Sequence, residues 1–233
     1  MSRWAQRKFE VLIVLGSLVL FAFGIGGAMA AYPGGTHLDP RTHGYDFTGN
    51  FWCDMLRDPA LNGSPNSQGA GLAALSLWII GAGLLPFWGI LAESCSERGS
   101  KSWLRPTIRV LGISGSFGLM LVALLPSDRF PIWHGLAVTI GGTSGVVAAA
   151  VAIVASVVNG SGPRYAARLG ALTLGAAVAN LVQYARQIWF DASYVALLPA
   201  LQKIASLCFF LWVATLSVSA LRSKRRLPPP VNS

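Results

Sequence analysis

Charged residues are scarce in this sequence. Only 12% of its 233 residues are Asp, Glu, Lys or Arg, whereas 53% are hydrophobic, and the mean hydropathy is +0.55. A soluble globular domain carries about 25% charged residues. The composition therefore excludes an ordinary soluble domain and predicts an integral membrane protein.

Residues and motifs that mark common kinds of site are also few. The three cysteines, Cys53, Cys95 and Cys208, lie far apart in the chain, so they provide neither a disulfide framework nor a CxxC metal site. The sequence contains no HExxH motif, no GxSxG elbow and no phosphate-binding loop of the Walker type. It therefore excludes the enzyme classes that depend on those motifs.

Acidic residues are half as frequent as basic ones, 9 against 18, which gives a net charge of +9. Such an excess is typical of nucleic-acid-binding domains, but here the basic residues lie between apolar runs, so we predict no nucleic-acid partner.

Thirteen of the basic residues lie in segments 1–8, 97–109, 164–168 and 222–226. Basic residues concentrate in cytoplasmic connections. This distribution predicts six crossings with both termini in the cytoplasm. The membrane that we expect is a bacterial cytoplasmic (inner) membrane.

Six apolar runs approach or exceed the length of about 20 residues that crosses a bilayer. The fold class is therefore an all-α integral membrane protein with one six-helix domain over residues 1–221. A basic, disordered cytoplasmic tail is predicted at 222–233. The predicted helices cover residues 9–31, 69–92, 106–125, 134–158, 166–189 and 194–221.

The first run ends in Ala28-Met29-Ala30, which is similar to a signal-peptidase site and follows a basic start. The run is longer than the apolar region of a usual signal peptide. We therefore expect it to be retained as a membrane anchor.

A long polar loop, predicted over residues 32–68, holds two of the three histidines and four of the nine acidic residues. Phe47, Phe51 and Met55 recur every four residues, which predicts a short amphipathic helix over residues 47–57. Two orientations remain open. The aromatic face lies in the membrane interface, or the face with Asn50 and Asp54 turns inward, where Asp54 could act as acid, base or ligand.

The histidines suggest a divalent-metal site formed by His37, His43 and His134. The alternative is that the loop histidines are solvated and that the loop is shaped by turns and caps. Asp128 and His134 lie six residues apart across a proline turn. They could form a carboxylate-oriented imidazole, or His134 could simply form hydrogen bonds at the headgroup level.

The last two helices carry a second polar set, consisting of Asn180, Gln183, Arg186 and Lys203. An ionised lysine within a membrane costs at least about 2.5 to 3.5 kcal/mol, so Lys203 should face the protein interior and have a partner. Asn180, Asp54 and Asp128 are the candidates. The set either binds a substrate or holds the two helices together.

Three short segments carry a resemblance to a known family: Tyr32-Pro33-Gly34-Gly35, then Asn50 to Leu56, then Leu125-Pro126 with His134-Gly135. The chain resembles a family of uncharacterised six-helix prokaryotic membrane proteins, itself similar to the DRAM/FRAG/Sfk group that includes eukaryotic GPI-lipid remodelling factors. Cys53 stands where that family has Ser, and Leu56 where it has Gly. The resemblance implies six helices, a lipid connection, and Asn50, Asp54 and His134 as candidate site residues.

Together these features predict an extracytoplasmic-facing polar cavity, lined by helices three to six beneath the polar loop. The first functional hypothesis is an enzyme that acts on a membrane lipid or lipid-linked substrate, with or without a metal. Its predicted catalytic residues are Asp54, His134, Asp128 and Asn50, and its predicted substrate-binding residues are Lys203, Asn180, Gln183 and Arg186. The alternative is a non-enzymatic transporter, lipid binder or membrane assembly factor.

Overall fold

The computed structural model of the protein describes residues 2–96, 102–158, 164–190 and 193–222. These residues form six α-helices and one short 3-10 helix, with an isolated β-bridge between Gly34 and His43. The predicted disordered tail lies outside the described residues except for Arg222, which ends the last helix. The helices are α1 (Arg3–Ala31), α2 (Ser67–Ser96), α3 (Leu104–Leu124), α4 (Pro131–Val158), α5 (Arg164–Trp189) and α6 (Leu198–Arg222).

All six helices are long and apolar enough to cross a membrane, as in a multi-pass membrane protein. The shortest, α3, has 21 residues and so extends about 31 Å at 1.5 Å per residue, which matches the thickness of a hydrocarbon core. The most apolar 18-residue windows have mean hydropathies from 1.3 in α5 to 2.4 in α1. The six predicted helices are therefore confirmed.

The largest differences from the predicted helix boundaries are at the start of α1, at the end of α2, which reaches Ser96 instead of residue 92, and at the start of α6. Helix α1 begins six residues before the predicted start, where the Ser2 hydroxyl oxygen accepts a hydrogen bond from the Ala5 N–H at 3.3 Å. Helix α6 begins at Leu198 instead of Tyr194, with Pro199 in its first turn. Proline suits that position because its missing N–H would have no partner inside the helix.

The helices alternate in direction, and each packs against the next one in the chain. Helix α1 also contacts α6, and α2 also contacts α4 and α6, so α2 is the central helix. Its fully buried Phe87 lies against Phe209 and Trp212 of α6, with ring centroids 6.5 and 5.9 Å away.

Glycines bring α3 and α4 into close contact. A Cβ added at Gly118 would lie 2.5 Å from the Cα of Gly141, and one added at Gly115 would lie 3.0 Å from the Cα of Gly145. A larger residue at Gly115 or Gly118 would prevent this approach. Small residues at such contacts are typical of helix pairs in membrane proteins.

Residues 32–66, hereafter the loop, cover the end of the bundle at which α1, α3 and α5 end. The predicted helix over residues 47–57 is wrong in type and length, because only a 3-10 helix at Trp52–Leu56 forms. Phe51 is extended and interrupts the helical path. Phe47 is 58% exposed whereas Met55 is fully buried, so these residues share no common face.

Candidate functional site

Two glycines shape the start of the loop. Gly34 has φ of +135° and Gly35 has φ of +87°, values that favour glycine because it lacks a Cβ. A Cβ on Gly34 would lie 2.2 Å from the Thr42 carbonyl oxygen, and one on Gly35 would lie 2.3 Å from the Asn62 nitrogen. The chain can therefore fold back on itself immediately after α1.

Asp54 connects three parts of the loop. Its Oδ1 accepts a hydrogen bond from His37 Nε2 at 3.0 Å, and its Oδ2 accepts from the Phe51 N–H at 2.7 Å and from Asn50 Nδ2 at 3.3 Å. The residue is only 3% exposed. Both carboxylate oxygens thus hold the loop together, and the bond from Phe51 caps the 3-10 helix.

Asn50 is fully buried and also saturated with hydrogen bonds. Its Nδ2 donates to the Gly35 carbonyl at 2.7 Å, and its Oδ1 accepts from the Asp46 N–H at 2.9 Å. Asn50 and Asp54 were both predicted to be catalytic. The structure places them next to each other, where their hydrogen bonds stabilise the loop, and their catalytic role stays a prediction.

Lys203 reaches from α6 to the loop. Its Nζ donates hydrogen bonds to the backbone carbonyl oxygens of Asn50 and, at 3.1 Å, Pro199. It also lies 5.3 Å from the ring centroid of Tyr45 and 5.2 Å from that of Phe47, distances at which a cation is attracted to an aromatic face. The expectation that this lysine is turned inward and partnered is confirmed, but its hydrogen-bond acceptors are backbone carbonyls.

A second contact from α6 supports the loop. Gln202 Oε1 accepts a hydrogen bond from the Trp52 N–H at 3.0 Å. This N–H lies in the first turn of the 3-10 helix, where no backbone acceptor is available within the helix. Adjacent residues of α6 therefore bind adjacent parts of the loop.

His134 and Asp128 do not form the predicted pair. His134 is 4% exposed, and its Nδ1 lies 2.6 Å from the Leu125 carbonyl oxygen, to which it donates. Asp128 Oδ1 is buried without a hydrogen-bond partner, and Oδ2 lies 3.8 Å from Arg129 Nε. The proline turn brings the Leu125 carbonyl to the imidazole, so a backbone group orients His134 in place of the carboxylate.

The predicted metal site with His37, His43 and His134 does not form. Across the described ranges, no group of three or more His, Cys, Asp or Glu side chains lies close enough to hold a metal ion. His43 is exposed in its bridge with Gly34, whereas His134 is buried at the start of α4. All three histidines thus lie at the loop end of the bundle, but the fold does not bring them together.

The predicted substrate-binding residues of α5 lie in two different environments. Asn180 lines the cavity described below, and its Oδ1 is buried without a hydrogen-bond partner. Arg186 donates to Gln183 at 3.2 Å in an exposed pair on α5. Neither Gln183 nor Arg186 lines this cavity, so within the predicted set only Asn180 contacts it.

A cavity of about 290 Å³ lies inside the bundle. All six helices contribute to its wall, and Trp52 and Cys53 of the loop contribute as well. The Trp52 ring stacks on Phe210 of α6 with an interplanar angle of 6°, and it meets Phe21 of α1 edge to face. The cavity is therefore in direct contact with the loop.

The lining of this cavity is mainly apolar. Among the described residues that form it, none carries a formal charge. Its polar side chains include Asn180, Tyr184, Gln202 and Ser206. Cys53 also lines the cavity, and burial raises the pKa of its thiol to about 12. This cavity is thus less polar than the extracytoplasmic-facing one predicted, and Lys203, which is bound to the loop, lies outside its lining.

Tyrosines reinforce the loop above this cavity. Tyr32 is buried, and its hydroxyl oxygen accepts a hydrogen bond from the Leu61 N–H at 3.3 Å. Burial raises the pKa of Tyr32 to about 12, and it also raises the pKa of Tyr45. Both hydroxyls therefore remain neutral, and that of Tyr45 donates to the Asn50 carbonyl at 3.2 Å.

Several cavity residues were not predicted, because apolar and aromatic side chains are common throughout such a chain. Trp52, Tyr184, Phe209 and Phe210 belong to this group. The one feature of the sequence that could have indicated a cavity was the glycine content of α3 and α4, since closely packed helices with small residues leave space beside them.

Comparison of the chain with known protein families, with curated proteins and with solved structures gave no match.

Proposed function

We propose that this multi-pass membrane protein binds the hydrocarbon chain of a membrane lipid or lipid-linked molecule in the cavity beneath the loop. The observation that carries the proposal is the lining, which is mainly apolar and uncharged. Burial of an unpaired charge is costly, so such a lining accepts a hydrocarbon chain and excludes a charged headgroup. A volume of about 290 Å³ is near the small end of ligand pockets and suits one chain better than a whole lipid.

The distribution of charge supports the membrane orientation. Arg7, Arg105, Arg109 and Arg168 lie at the end of the bundle opposite the loop. Since basic residues concentrate on the cytoplasmic side, the loop faces away from the cytoplasm. The location we propose is a bacterial cytoplasmic membrane, with both termini inside.

Hydrogen bonding favours binding over catalysis. Asp54 and Asn50 use their polar side-chain atoms within the loop, and Lys203 is bound to backbone carbonyls. A general acid or base needs an atom within reach of the substrate. These three residues hold the cover of the cavity in place, which is the role expected in a lipid binder, carrier or assembly factor.

An enzyme that acts on a lipid substrate is the second candidate, and one contact favours it. The buried Asp54 orients the imidazole of His37, whose side chain is 36% exposed. A carboxylate that fixes an imidazole is a common arrangement for a general base. If the protein is such an enzyme, His37→Gln should abolish turnover of the lipid without preventing its binding.

The test is crosslinking of the purified protein to a long-chain alcohol that carries a diazirine in its chain. Gly145 lines the cavity, and a Cβ added there meets no atom within 4 Å, so Gly145→Leu should fill the space and reduce crosslinking to the lining. Gly16→Leu is the matched control, because Gly16 is exposed on α1, outside the cavity, and its Cβ is equally unhindered.

A long-chain carboxylate with the same diazirine can be compared with the long-chain alcohol. An unpaired charge is costly to bury, so the alcohol should label the cavity more strongly than the carboxylate does. Equal crosslinking of both glycine variants and the wild-type protein would show that the chain binds elsewhere.

A further inference from the structure

Four charged side chains from three helices meet at the end of the bundle opposite the loop. Glu93 of α2 binds Arg7 of α1 through one carboxylate oxygen. Its other oxygen accepts from Arg105 at 3.2 Å and from Arg109 at 3.0 Å, both of α3. We call these four residues the arginine cluster.

The arginine cluster carries more positive than negative charge. Three guanidinium groups surround one carboxylate, and each uses a terminal nitrogen for Glu93. A guanidinium has five N–H donors in a planar fork, so each arginine keeps donors for another acceptor. Arg105 and Arg109 are accessible, with side chains 47% and 39% exposed, whereas that of Arg7 is 12% exposed.

Like charges held this close repel one another, and the single negative charge of Glu93 offsets only part of the repulsion among three guanidinium groups. The first turn of α3 adds to the positive potential, because Arg105 follows its first residue, Leu104, and a helix N-terminus carries a partial positive charge. The cluster is therefore well suited to a further anion.

Exposed tryptophans indicate the depth of the cluster. Trp4 and Trp103 are 50% and 51% exposed at the same end of the bundle, and Lys8 lies over the Trp4 ring at 5.5 Å. Tryptophan concentrates at the level of the lipid headgroups. In the membrane orientation proposed above, the arginine cluster therefore lies at the level of the phosphates.

We propose that the arginine cluster is a binding site for a phosphate group, supplied by the headgroup of an anionic phospholipid. Arginine matches this ligand because its planar fork donates two parallel hydrogen bonds to phosphate oxygens. This inference uses the membrane placement of the proposed function, but not its cavity.

The test measures thermal stabilisation of the full chain in detergent by added phosphatidylglycerol, phosphatidylcholine or inorganic phosphate. The variant is Arg105→Gln, which removes an exposed cation of the cluster. Arg168→Gln is the matched control, since Arg168 is an exposed cation at the same end of the bundle, on α5, outside the cluster. Phosphatidylglycerol should stabilise the protein more than phosphatidylcholine, and Arg105→Gln should weaken its apparent affinity about fivefold, with no change in the control.

Stabilisation by inorganic phosphate that is equally sensitive to Arg105→Gln would support the phosphate site and identify soluble phosphate as its source. Equal losses in Arg105→Gln and Arg168→Gln would overturn the proposal, because the effect would then come from general surface charge. No loss in either variant would overturn it as well. The Gly145→Leu variant should keep its response to phosphatidylglycerol, so failure of the cavity proposal remains a separate result.

Discussion

The ammonium group of Lys203 in α6 donates a hydrogen bond to the backbone carbonyl oxygen of Asn50 in the loop. Lys203 is 4% exposed, a placement that is costly for a charged side chain. Two carbonyl acceptors and two aromatic faces offset that cost. The loop and α6 consequently stabilise each other.

Replacement of Lys203 by Met should detach the loop from α6. A hydrogen bond from a charged donor contributes about 1.5 to 3 kcal/mol, so thermal unfolding should occur at a lower temperature. Hydrogen exchange should increase at residues 46–56 more than in α1 to α5. The control is Lys8→Met, which removes an exposed lysine near the chain start. Unchanged exchange in the loop would contradict the role assigned to Lys203.

Replacement of Asp54 by Asn should destabilise the loop from within. An amide has one acceptor oxygen, so its NH₂ group would face either His37 or the Phe51 N–H, both of which donate to Asp54. We expect a loss of about 1 to 3 kcal/mol in the free energy of unfolding. Asp39→Asn is the matched control, because that side chain is 48% exposed. Normal stability combined with loss of a lipid-dependent activity would instead indicate catalysis by Asp54.

Replacement of Gly118 by Ala should separate α3 from α4. The new methyl carbon would lie 2.5 Å from the Cα of Gly141 and 3.2 Å from the Ala137 carbonyl oxygen, and overpacking of this kind costs about 1 to 3 kcal/mol. Gly16→Ala is the control, since its methyl group would meet no atom within 4 Å. The two variants can be compared by thermal unfolding in the same detergent, where equal melting temperatures would refute the close contact.

Alkylation of Cys53 should be slow and should depend on pH over an unusual range. Burial raises its pKa to about 12, and the thiolate is the reactive form. In a variant that lacks Cys95 and Cys208, the rate with a maleimide should still rise about tenfold from about pH 9 to about pH 10, where an ordinary thiol with a pKa of about 8.5 levels off. A chain in the cavity should also slow the reaction, because Cys53 lines it. A rate that levels off below about pH 9 would contradict the burial of this thiol.

The helices were predictable because hydropathy is a local property. The six runs were long enough to identify without knowledge of their neighbours, and the largest boundary error occurred where a cap decided the outcome, at Ser2. The helix at 47–57 was wrong because the repeat of Phe47, Phe51 and Met55 ignores the extended backbone at Phe51. The spacing of apolar residues does not reveal a break in the helical backbone.

The site was less predictable because its contacts involve backbone atoms. Chemistry correctly indicated that Lys203 needs a partner, but a carbonyl such as that of Asn50 has no signature in the sequence. The same reason explains His134, which is oriented by the Leu125 carbonyl. The cavity depends on how six helices are rotated against one another, and this rotation is set by distant contacts such as Gly118 with Gly141.

The contact between Phe21 in the first helix and Phe210 in the last has a consequence for biosynthesis. A ribosome releases the amino-terminal helices first, so the loop emerges long before the residues that hold it, Gln202 and Lys203. Until the final helix is made, the loop lacks both anchors and the cavity lacks one wall. A nascent chain arrested before residue 198 would therefore have an incomplete cavity and an unanchored loop, even if its first five helices were already formed.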